Sequence, residues 1–551
     1  MVLYTAVLGF AVGKHEPWAD EAQAWLIARD CSLKEIFLHR LHYEGTPGLW
    51  HLFLWLLSRL HISYTGMHWL TAGVATAAIA IFLRYSPFPT IFRLLLPFTF
   101  YLQYQFAVVA RSYVFFTLTV FALAALFYRR EHRPAMFALI CGLLANTSVF
   151  GAMAAFGFFI VYAYNLTKAG ISWSRLKAPA TCFSLLFLVA IYTAVPTPDA
   201  VYGPAAKLSG EGRIQHLLSV ITFSQHVPPI QDHQLAVQAD PLEVALASHQ
   251  SNSFHDRLWR FLEIRKDVPT PELILRKASM RLYTFLCVLT YPISNLNGVA
   301  VLFVFVLLYW LKNRGQLLLL LPYLFVLLFC TVVPCQPHNI GVLWVTLLAT
   351  LWIALSHPPY PADLDKSYLS LCVLLLLVSV VQITWTIKTI RNDYKDKYDA
   401  SGMVARFISG LPPEQRRVVA FDPVSVAIEA HFKKNVFDNR EHSYWLWSKT
   451  ENPDYHFREV MDSRPDLVIV EDMNDGNQTV MNQWIELEKP WSASSGTISS
   501  RSMSDYPYSS VARFCGQIFV QLGAERQICY NLFEPASTAS SLQPLARTKL
   551  R

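Results

Sequence analysis

Residues 368–387 read YLSLCVLLLLVSVVQITWTI, a run of twenty residues without an acidic or basic side chain. A helix needs about 17–25 predominantly apolar residues to cross the hydrocarbon core of a bilayer. The run therefore predicts a membrane-spanning helix, and it is the last of a series along the chain.

The whole chain shares this apolar character. Of its 551 residues, 53% are hydrophobic and only 15% are charged, whereas soluble domains carry about 25% charged residues. Residues 134–165 are long enough to cross twice, around a polar tip at Asn146-Thr147-Ser148. The first thirteen residues are expected to end a first membrane helix, with a short buried helix as the alternative. Further runs of near-spanning length are 67–83, 91–109, 112–127, 178–195, 296–311, 317–334 and 340–356. Together they predict a polytopic α-helical membrane protein with about eleven spans.

Basic residues predict the orientation, because cytoplasmic loops carry an excess of Lys and Arg. If the basic loops are cytoplasmic, residues 14–66, residues 196–292 and everything after 388 lie outside. We therefore expect a multi-pass protein of the inner (plasma) membrane, with its C-terminal part on the periplasmic or extracellular side. The net charge of +7 then reflects loop bias, and no nucleic-acid partner is expected. The basic loops contain Arg84, Arg93, Arg129, Arg130, Arg133, Lys168, Arg175, Lys177, Lys312 and Arg314.

The composition also predicts the domains. Residues 1–390 form the transmembrane domain, with two or three interfacial helices in an outer loop at 14–66 and a second, long outer loop at 196–292. After residue 390, buried strands are predicted at 418–421 and 467–470 with a helix at 424–432, so residues 391–535 read as an extramembrane α/β domain. The tail at 536–551 is rich in Ser, Ala and Thr and is expected to be disordered.

Nine cysteines are scattered along the chain, and none forms a C-x-x-C pair. Cys515 and Cys529 fall in two strand-like segments, 511–522 and 526–532, on the predicted outer side. In an oxidising compartment they could pair across a hairpin, and the alternative is that both stay free thiols.

Two adjacent acids, Asp20 and Glu21, follow the first apolar stretch. Ionisable groups beside a bilayer are costly and often functional. One interpretation makes Asp20 a general base for an acceptor hydroxyl, with Glu21 orienting the acceptor. The other makes both acids the ordinary decoration of a helix N-terminus, where they favour the helix dipole.

Further polar residues on the predicted outer side complete the candidate site. Arg111, with Tyr113 beside it, could hold a phosphate, or Arg111 could be an ordinary snorkelling side chain. Glu44 is a candidate for the cavity or an ordinary turn acid. Glu44 is also a candidate ligand for a divalent metal, but Asp20, Glu21 and Glu44 alone do not specify a metal site. No cofactor is therefore expected, and a divalent metal stays an open alternative. Weaker candidates for meeting an anion are His15, His39, Arg40, His42 and His338.

These motifs carry a resemblance. The stretch Trp18-Ala19-Asp20-Glu21-Ala22-Gln23-Ala24-Trp25, the segment from Tyr43 to Trp50 with Glu44-Gly45-Thr46-Pro47-Gly48 at its centre, and Ala110-Arg111-Ser112-Tyr113 resemble the GT-C superfamily of membrane glycosyltransferases. The chain is most similar to bacterial lipopolysaccharide and aminoarabinose transferases and to protein O-mannosyltransferases. The similarity covers roughly residues 1–390. Where many relatives carry an arginine, this chain carries His338, a pH-dependent substitute.

The resemblance implies an inverting glycosyltransferase that uses a polyprenyl-phosphate-linked sugar and an exported glycan, lipid or protein acceptor. It implies that Asp20 is the catalytic base, with Glu21 as its neighbour, on the outer side of the membrane. We expect Arg111, Tyr113 and His338 to bind the donor phosphate. The predicted acceptor and sugar contacts are Trp18, Trp25, Glu44 and Trp50. The alternatives are a carrier or flippase for lipid-linked glycans and a non-catalytic membrane scaffold.

Overall fold

The described residues of the chain, in a computed structural model, cover most of both predicted domains. Residues 201–281 of the predicted outer loop, Arg129, Arg130 and nearly all of the predicted tail lie outside them. The described residues are 1–127, 133–168, 170, 173–197, 199–200, 282, 284–333, 338–356, 366–395, 397–412, 417–448, 457–475, 503, 506–519 and 525–536.

The described residues up to 395 are built mainly from helices. We call Ala19–Asp30 the Asp20 helix and Lys366–Lys395 the long helix. The other main helices are Val2–Val12, Leu49–Arg59, Tyr64–Tyr85, Tyr113–Leu126, Pro134–Ala145, Val149–Lys168, Trp173–Ala194, Asn297–Asn313, Leu321–Val332 and Gly341–Leu355. Shorter helical segments are Leu33–Glu35, Ile36–Arg40, Leu41–Glu44, Thr90–Leu95, Leu96–Phe98, Tyr101–Gln105 and Leu317–Leu320.

Several of these helices have the length and composition needed to cross a membrane. Four do so by themselves: Tyr64–Tyr85, Val149–Lys168, Arg175–Ala194 and the long helix. Six further apolar helices are shorter, with 10–17 residues. The chain is thus mainly helical with spans of the predicted kind, whereas the count of eleven crossings and their sidedness stay predictions.

The predicted span at 91–109 is wrong as one continuous helix. The chain there forms Thr90–Leu95, a 3-10 turn at Leu96–Phe98 and a π-helical turn at Tyr101–Gln105. Pro97 lacks a backbone N–H, and its ring clashes with the carbonyl that an α-helix would place beside it. Thr99 follows in an extended conformation, with ψ of 152°. After this break, the chain turns back so that the backbone N–H of Ala110 contacts Glu21, the neighbour of Asp20, at 2.6 Å.

Two glycines fix the turn that follows Glu44. Gly45 ends the Leu41–Glu44 helix in the left-handed region, with φ of 60°, where a residue with a Cβ is strained. A Cβ on Gly48 would lie 2.5 Å from Cε1 of Phe37, so the backbone packs directly on that ring. This turn connects the Asp20 helix region to Leu49–Arg59 and holds Glu44 between them.

The C-terminal domain contains a four-stranded sheet, and its strands overlap the four strand segments that the sequence predicted. The strands are β1 (Val418–Ala420), β2 (Leu467–Asp475), β3 (Tyr508–Phe519) and β4 (Glu525–Pro535), in the order β1-β2-β4-β3. β1 and β2 are parallel, and β4 is antiparallel to both of its neighbours. The helices of this domain are Ser401–Ser409, Pro423–Ser425, Val426–Glu429 and Phe457–Asp462.

The pairing of Cys515 with Cys529 is confirmed. The two residues lie directly opposite each other on β3 and β4, with 4.0 Å between their Cα atoms, and they form a disulfide. The other described cysteines form no disulfide; they are Cys31, Cys141, Cys182, Cys287, Cys330 and Cys372.

The C-terminal domain packs on the Asp20 helix and on the loop before it. Glu16 accepts a hydrogen bond from the backbone N–H of Gly402 at 2.9 Å and pairs with Lys397 at 3.2 Å. At the other end of the helix, Ser443 donates a hydrogen bond to Asp30. The helix that carries Asp20 is therefore held between the membrane part and the C-terminal domain.

Glu429 gives the C-terminal domain a pH-dependent stability. Burial raises the pKa of Glu429 to about 7, although the backbone N–H groups of Val436 and Phe437 favour its ionised form. The folded state therefore binds this proton more tightly than the unfolded chain, whose ordinary value is 4.5. The stabilisation is complete below about pH 4.5 and is lost as pH rises through 7, by about 3 kcal/mol.

We expect Glu429→Gln to flatten the fall of the thermal midpoint between pH 5 and 8, measured on the full chain in detergent. Glu441→Gln is the control, because Glu441 is exposed in the same domain. An unchanged pH slope in Glu429→Gln would contradict the assignment.

Candidate functional site

The first turn of the Asp20 helix separates its two acids. Glu21 accepts the backbone N–H of Trp18, which precedes the helix, at 3.1 Å. Consecutive helical residues point about 100° apart. Glu21 consequently turns inward and is 0% exposed, whereas the side chain of Asp20 is 36% exposed.

Asp20 meets Arg111, which is 91 residues away in the sequence. Nη1 of Arg111 lies 2.5 Å from Oδ2 of Asp20. The arginine side chain is 27% exposed, so solvent reaches both members of the pair. Ion pairs that solvent reaches contribute little to stability, so a gain in stability does not account for this contact. It leaves a carboxylate and a guanidinium side by side at an accessible surface.

The turn at His338 and Asn339 covers the other side of Arg111. Nη1 of Arg111 lies 3.1 Å from Nε2 of His338, and the hydroxyl of Tyr113 donates to Oδ1 of Asn339 at 2.7 Å. A guanidinium has no acceptor, so Nε2 of His338 is the acceptor in this contact. The predicted phosphate-binding residues Arg111, Tyr113 and His338 therefore do lie together.

Glu44 is the second acid on this side of the fold. It accepts a hydrogen bond from the amide of Gln23 at 2.8 Å. Burial raises the pKa of Glu44 to about 7; the Gln23 bond and the charge of Arg111 oppose that rise, and the charge of Asp20 adds to it. The negative charge of Asp20 therefore disfavours ionisation of Glu44, and Glu44 takes up a proton near neutral pH.

The C-terminal domain reaches this place through Gln23. The Gln23 amide donates to the carbonyl of Trp445 at 2.7 Å and accepts the backbone N–H of Trp445 at 2.8 Å. Nearby, the hydroxyl of Tyr43 donates to Asp199 at 2.6 Å, and Ser448 contacts the same carboxylate at 3.5 Å. Segments of the two loops that are predicted to lie outside, and of the C-terminal domain, therefore meet beside Glu44.

Glu21 lies at the centre of a buried polar cluster and does not face the accessible surface. Its Oε1 accepts the backbone N–H of Ala110 at 2.6 Å and lies 3.0 Å from Nε2 of His68. Its Oε2 lies 3.2 Å from Nε2 of His15. With every oxygen bonded inside the protein, the expectation that Glu21 orients an acceptor gives way to a positioning role, because Glu21 holds the residue just before Arg111.

The cluster continues to the end of the long helix. Nδ1 of His15 lies 3.2 Å from Oδ2 of Asp393, and the hydroxyl of Tyr104 donates to the same oxygen at 2.6 Å. We call these residues, Glu21, His15, His68, Asp393 and Tyr104, the buried cluster.

Opposite charges in the buried cluster stabilise each other. Burial opposes protonation of His15, but Glu21 and Asp393 raise the pKa of its ring to about 10. Burial likewise opposes ionisation of Glu21, yet His15 and His68 hold the pKa of Glu21 well below its usual range. At neutral pH the ring of His15 is therefore an imidazolium, and the Glu21 carboxylate beside it is ionised.

The predicted aromatic contacts divide into two groups. Trp25 and Trp50 are each 4% exposed. Trp25 packs on Tyr64, with 6.1 Å between ring centroids, and Trp50 packs on Phe53, with 5.7 Å. Stacking of these two tryptophans on a sugar is therefore wrong, because their rings are occupied in the core. Trp18 is only partly buried beside Asp20 and stays a candidate.

The other predicted cations contact neighbouring protein groups or solvent. Arg40 pairs with Glu35 at 2.6 Å, and Nδ1 of His42 donates to the carbonyl of Val195 at 2.7 Å. His39 is exposed. Only His338 among the weaker candidates adjoins Arg111.

Sequence reasoning missed Gln23, His68 and Asp393. His68 had a signal, since it is an ionisable residue inside an apolar run, and such residues usually have a partner. Gln23 and Asp393 had none, because a glutamine in a helix and an acid in a charged stretch are both ordinary. Among the described residues, no group of three His, Cys, Asp or Glu side chains could hold a metal ion.

A scan of the chain against models of known protein families finds no match, and a search of curated proteins finds none either. The resemblance therefore rests on the short motifs around Asp20, Glu44 and Arg111. The function has to be argued from the geometry that these motifs form.

The two neighbouring acids predict opposite behaviour on substitution. Glu21→Ala leaves His15, His68 and the N–H of Ala110 without their buried partner, so it should cost about 3–5 kcal/mol of unfolding free energy. Asp20→Asn removes only a pair that solvent reaches, with side chains 27% and 36% exposed, and should cost about 1 kcal/mol. Thermal unfolding of both variants in one detergent measures the difference.

Asp30→Asn is a suitable reference, because Asp30 lies on the same helix and its side chain, 33% exposed, pairs with Arg29. Equal losses of stability for Glu21→Ala and Asp20→Asn would contradict the buried role of Glu21.

Proposed function

We propose that the chain is an integral-membrane glycosyltransferase of the GT-C type. It moves a sugar from a polyprenyl-phosphate carrier to an exported glycan, lipid or protein acceptor. The reaction takes place on the periplasmic or extracellular side of the inner (plasma) membrane.

One observation carries the proposal: the accessible pair of Asp20 and Arg111, only 2.5 Å apart. A carboxylate can accept a proton, and a guanidinium can bind a phosphate through two parallel hydrogen bonds. A scaffold has no need for these two groups to meet at an accessible surface. Their position near the ends of apolar helices suits a substrate that arrives from the membrane.

The ion pair itself suggests how substrate binding activates the site. In the absence of donor, Asp20 neutralises Arg111. The phosphodiester of the donor carries one negative charge, as Asp20 does, and two of its oxygens match the fork of the guanidinium. It gains a second charge as the bond to the sugar breaks, so Arg111 holds it most tightly during transfer. Binding of the phosphate to Arg111 therefore releases the Asp20 carboxylate to act as a base.

The transfer step then uses the two groups in opposite roles. The acceptor oxygen attacks the anomeric carbon while the bond from that carbon to the phosphate oxygen breaks. The hydroxyl proton moves to Asp20, and the bonding electrons leave with the phosphate. Arg111 stabilises the charge that develops on the leaving group, and attack from the opposite face inverts the sugar carbon.

The acceptor is expected on the side of Glu44. The charge of Asp20 acts on Glu44, so the two acids are close. The Gln23 amide donates hydrogen bonds both to Glu44 and to the carbonyl of Trp445 in the C-terminal domain. A carboxyl that gains a proton near neutral pH can donate or accept a hydrogen bond from a hydroxylated ligand. This arrangement gives the C-terminal domain a share in acceptor binding.

The second candidate is a carrier or flippase for lipid-linked glycans. The buried cluster favours it, because ionisable residues among membrane helices often mark transport paths. However, the cluster lies at helix ends: His68 is in the second turn of Tyr64–Tyr85, and Asp393 is in the last turn of the long helix. Its charges also compensate one another and face no accessible path among the described residues.

The proposal predicts that Asp20→Asn abolishes sugar transfer. Loss of the base should lower the rate at least about 100-fold, because general-base catalysis contributes about 10²–10⁴. The measurement is transfer of labelled sugar in proteoliposomes that contain polyprenyl-phosphate donors and envelope acceptors. Lipids that copurify with the protein, identified by mass spectrometry, select the donor to be tested.

Glu35→Gln is the matched control and should retain transfer, since the Glu35 carboxylate also pairs with an arginine, Arg40, and its exposed fraction of 35% is close to the 36% of Asp20. Undiminished transfer by Asp20→Asn would rule out the assignment of the base. Donor translocation without transfer, in wild type and variant alike, would favour the carrier instead.

Arg111 should affect binding of the carrier lipid. Arg111→Gln removes the guanidinium and should weaken binding of polyprenyl monophosphate about 10–100-fold, the loss expected for a charge-assisted pair. Binding is measured by native mass spectrometry of the detergent-solubilised chain. Arg29→Gln is the control because Arg29 pairs with Asp30 at the opposite end of the helix. Equal binding by Arg111→Gln and wild type would contradict the phosphate role.

A further inference from the structure

The long helix exposes a single apolar face. At 100° per residue, its exposed large apolar side chains fall within a sector of about 100°. Such a face on a helix of membrane-spanning length is suited to contact lipid chains. Its members are Leu369, Val373, Leu376, Leu377, Val380 and Ile387. We call this set the lipid stripe.

Basic residues bound the lipid stripe at both ends. Lys366 precedes it, and Lys388 follows it; both are exposed. They are 22 residues apart, or about 33 Å along a helix, which matches the hydrocarbon thickness of about 30 Å. The spacing places Lys366 and Lys388 at the two boundaries of the hydrocarbon core.

Beyond Lys388, the same face carries two more cations. Arg391 and Lys395 are both exposed and lie three and seven residues further on, within the angular sector of the stripe. The helical rise puts them about 5 and 11 Å past Lys388. That is the depth of the lipid headgroups, which occupy several Å outside the hydrocarbon core.

The first helix adds an aromatic platform and a further cation. Phe10 stacks on Tyr394 with 6.0 Å between ring centroids, and Nζ of Lys14 lies 5.6 Å from the centroid of Tyr394. Phe10 and Tyr394 are 48% and 62% exposed. Exposed aromatic rings beside basic residues are typical of the interface between membrane and water.

The basic residues on this face are not used by nearby acids. The ion pairs at this end of the long helix join His15 to Asp393 and Lys397 to Glu16. Within the described part of the chain, Lys388, Arg391 and Lys395 take part in no ion pair. Three unneutralised cations on one face leave a concentrated positive charge at headgroup depth.

We propose that Lys14, Lys388, Arg391 and Lys395 bind the phosphate headgroup of an anionic phospholipid whose acyl chains lie along the lipid stripe. Charge complementarity selects the headgroup, and the continuity of the basic face with the stripe selects a lipid over a soluble anion. This surface is separate from the pair of Asp20 and Arg111, and the proposal does not depend on sugar transfer.

Native mass spectrometry of the detergent-solubilised full chain tests the proposal. Phosphatidylglycerol and phosphatidylcholine are titrated in parallel, and the ratio of their affinities is measured. The triple variant Lys388→Gln/Arg391→Gln/Lys395→Gln should lower the preference for phosphatidylglycerol at least about tenfold, because each cation near the surface contributes to anionic lipid binding. The wild-type preference should also fall with added salt.

Three controls make the result specific. Arg406→Gln/Lys433→Gln/Lys434→Gln removes as many exposed cations from the C-terminal domain and should keep the preference. Lys388→Arg/Lys395→Arg keeps the charge and should also keep it, which separates charge from folding. Asp20→Asn should leave the preference unchanged, so this test and the test of sugar transfer fail independently.

An undiminished preference in the triple variant would overturn the proposal. Competition by inorganic phosphate as strong as that by phosphatidylglycerol would overturn it as well, because the surface would then bind a soluble anion.

Discussion

The arrangement of this protein depends on one buried carboxylate, Glu21. Its two oxygens contact a histidine from the first connecting loop, a histidine from the Tyr64–Tyr85 helix and the backbone N–H of Ala110. Each of these groups would be costly to bury alone, and a fully bonded carboxylate removes that cost. Because Asp20 precedes Glu21 and Arg111 follows Ala110, the bonds of Glu21 also bring the accessible pair together.

Helix geometry thus gives the two adjacent acids different surroundings, because their side chains point about 100° apart. The inward acid, Glu21, is bonded on both oxygens inside the protein, whereas the outward acid, Asp20, is 36% exposed and pairs with Arg111. A rigid support behind an exposed reactive group is what an active site requires, since catalytic groups must be held in place before substrate binds. The C-terminal domain adds to this support from outside, through Gln23, Glu16 and Asp30.

Hydropathy predicted most of the helices, because crossing a bilayer imposes length and composition together. It failed at 91–109, where Pro97 breaks a run that looks continuous by composition. The strands of the C-terminal domain followed from local patterns, which left Cys515 and Cys529 open between a disulfide and two free thiols; the register of β3 and β4 decides for the disulfide. The meeting of Asp20 with Arg111 was foreseen only as two groups on one side of the membrane. The role of Glu21 was missed, since its partners come from three distant places and no local pattern relates them. Trp25 and Trp50 misled because an aromatic residue has the same local signal in a core as at an interface.

In the proposed reaction, Arg111 exchanges Asp20 for the phosphate of a lipid carrier. An electron cryo-microscopy map of the full chain with bound polyprenyl monophosphate tests it directly. We expect phosphate density within hydrogen-bond distance of the Arg111 guanidinium, and an Asp20 carboxylate that no longer contacts Arg111 and faces solvent. Phosphate density elsewhere, with the Asp20–Arg111 pair intact, would contradict it.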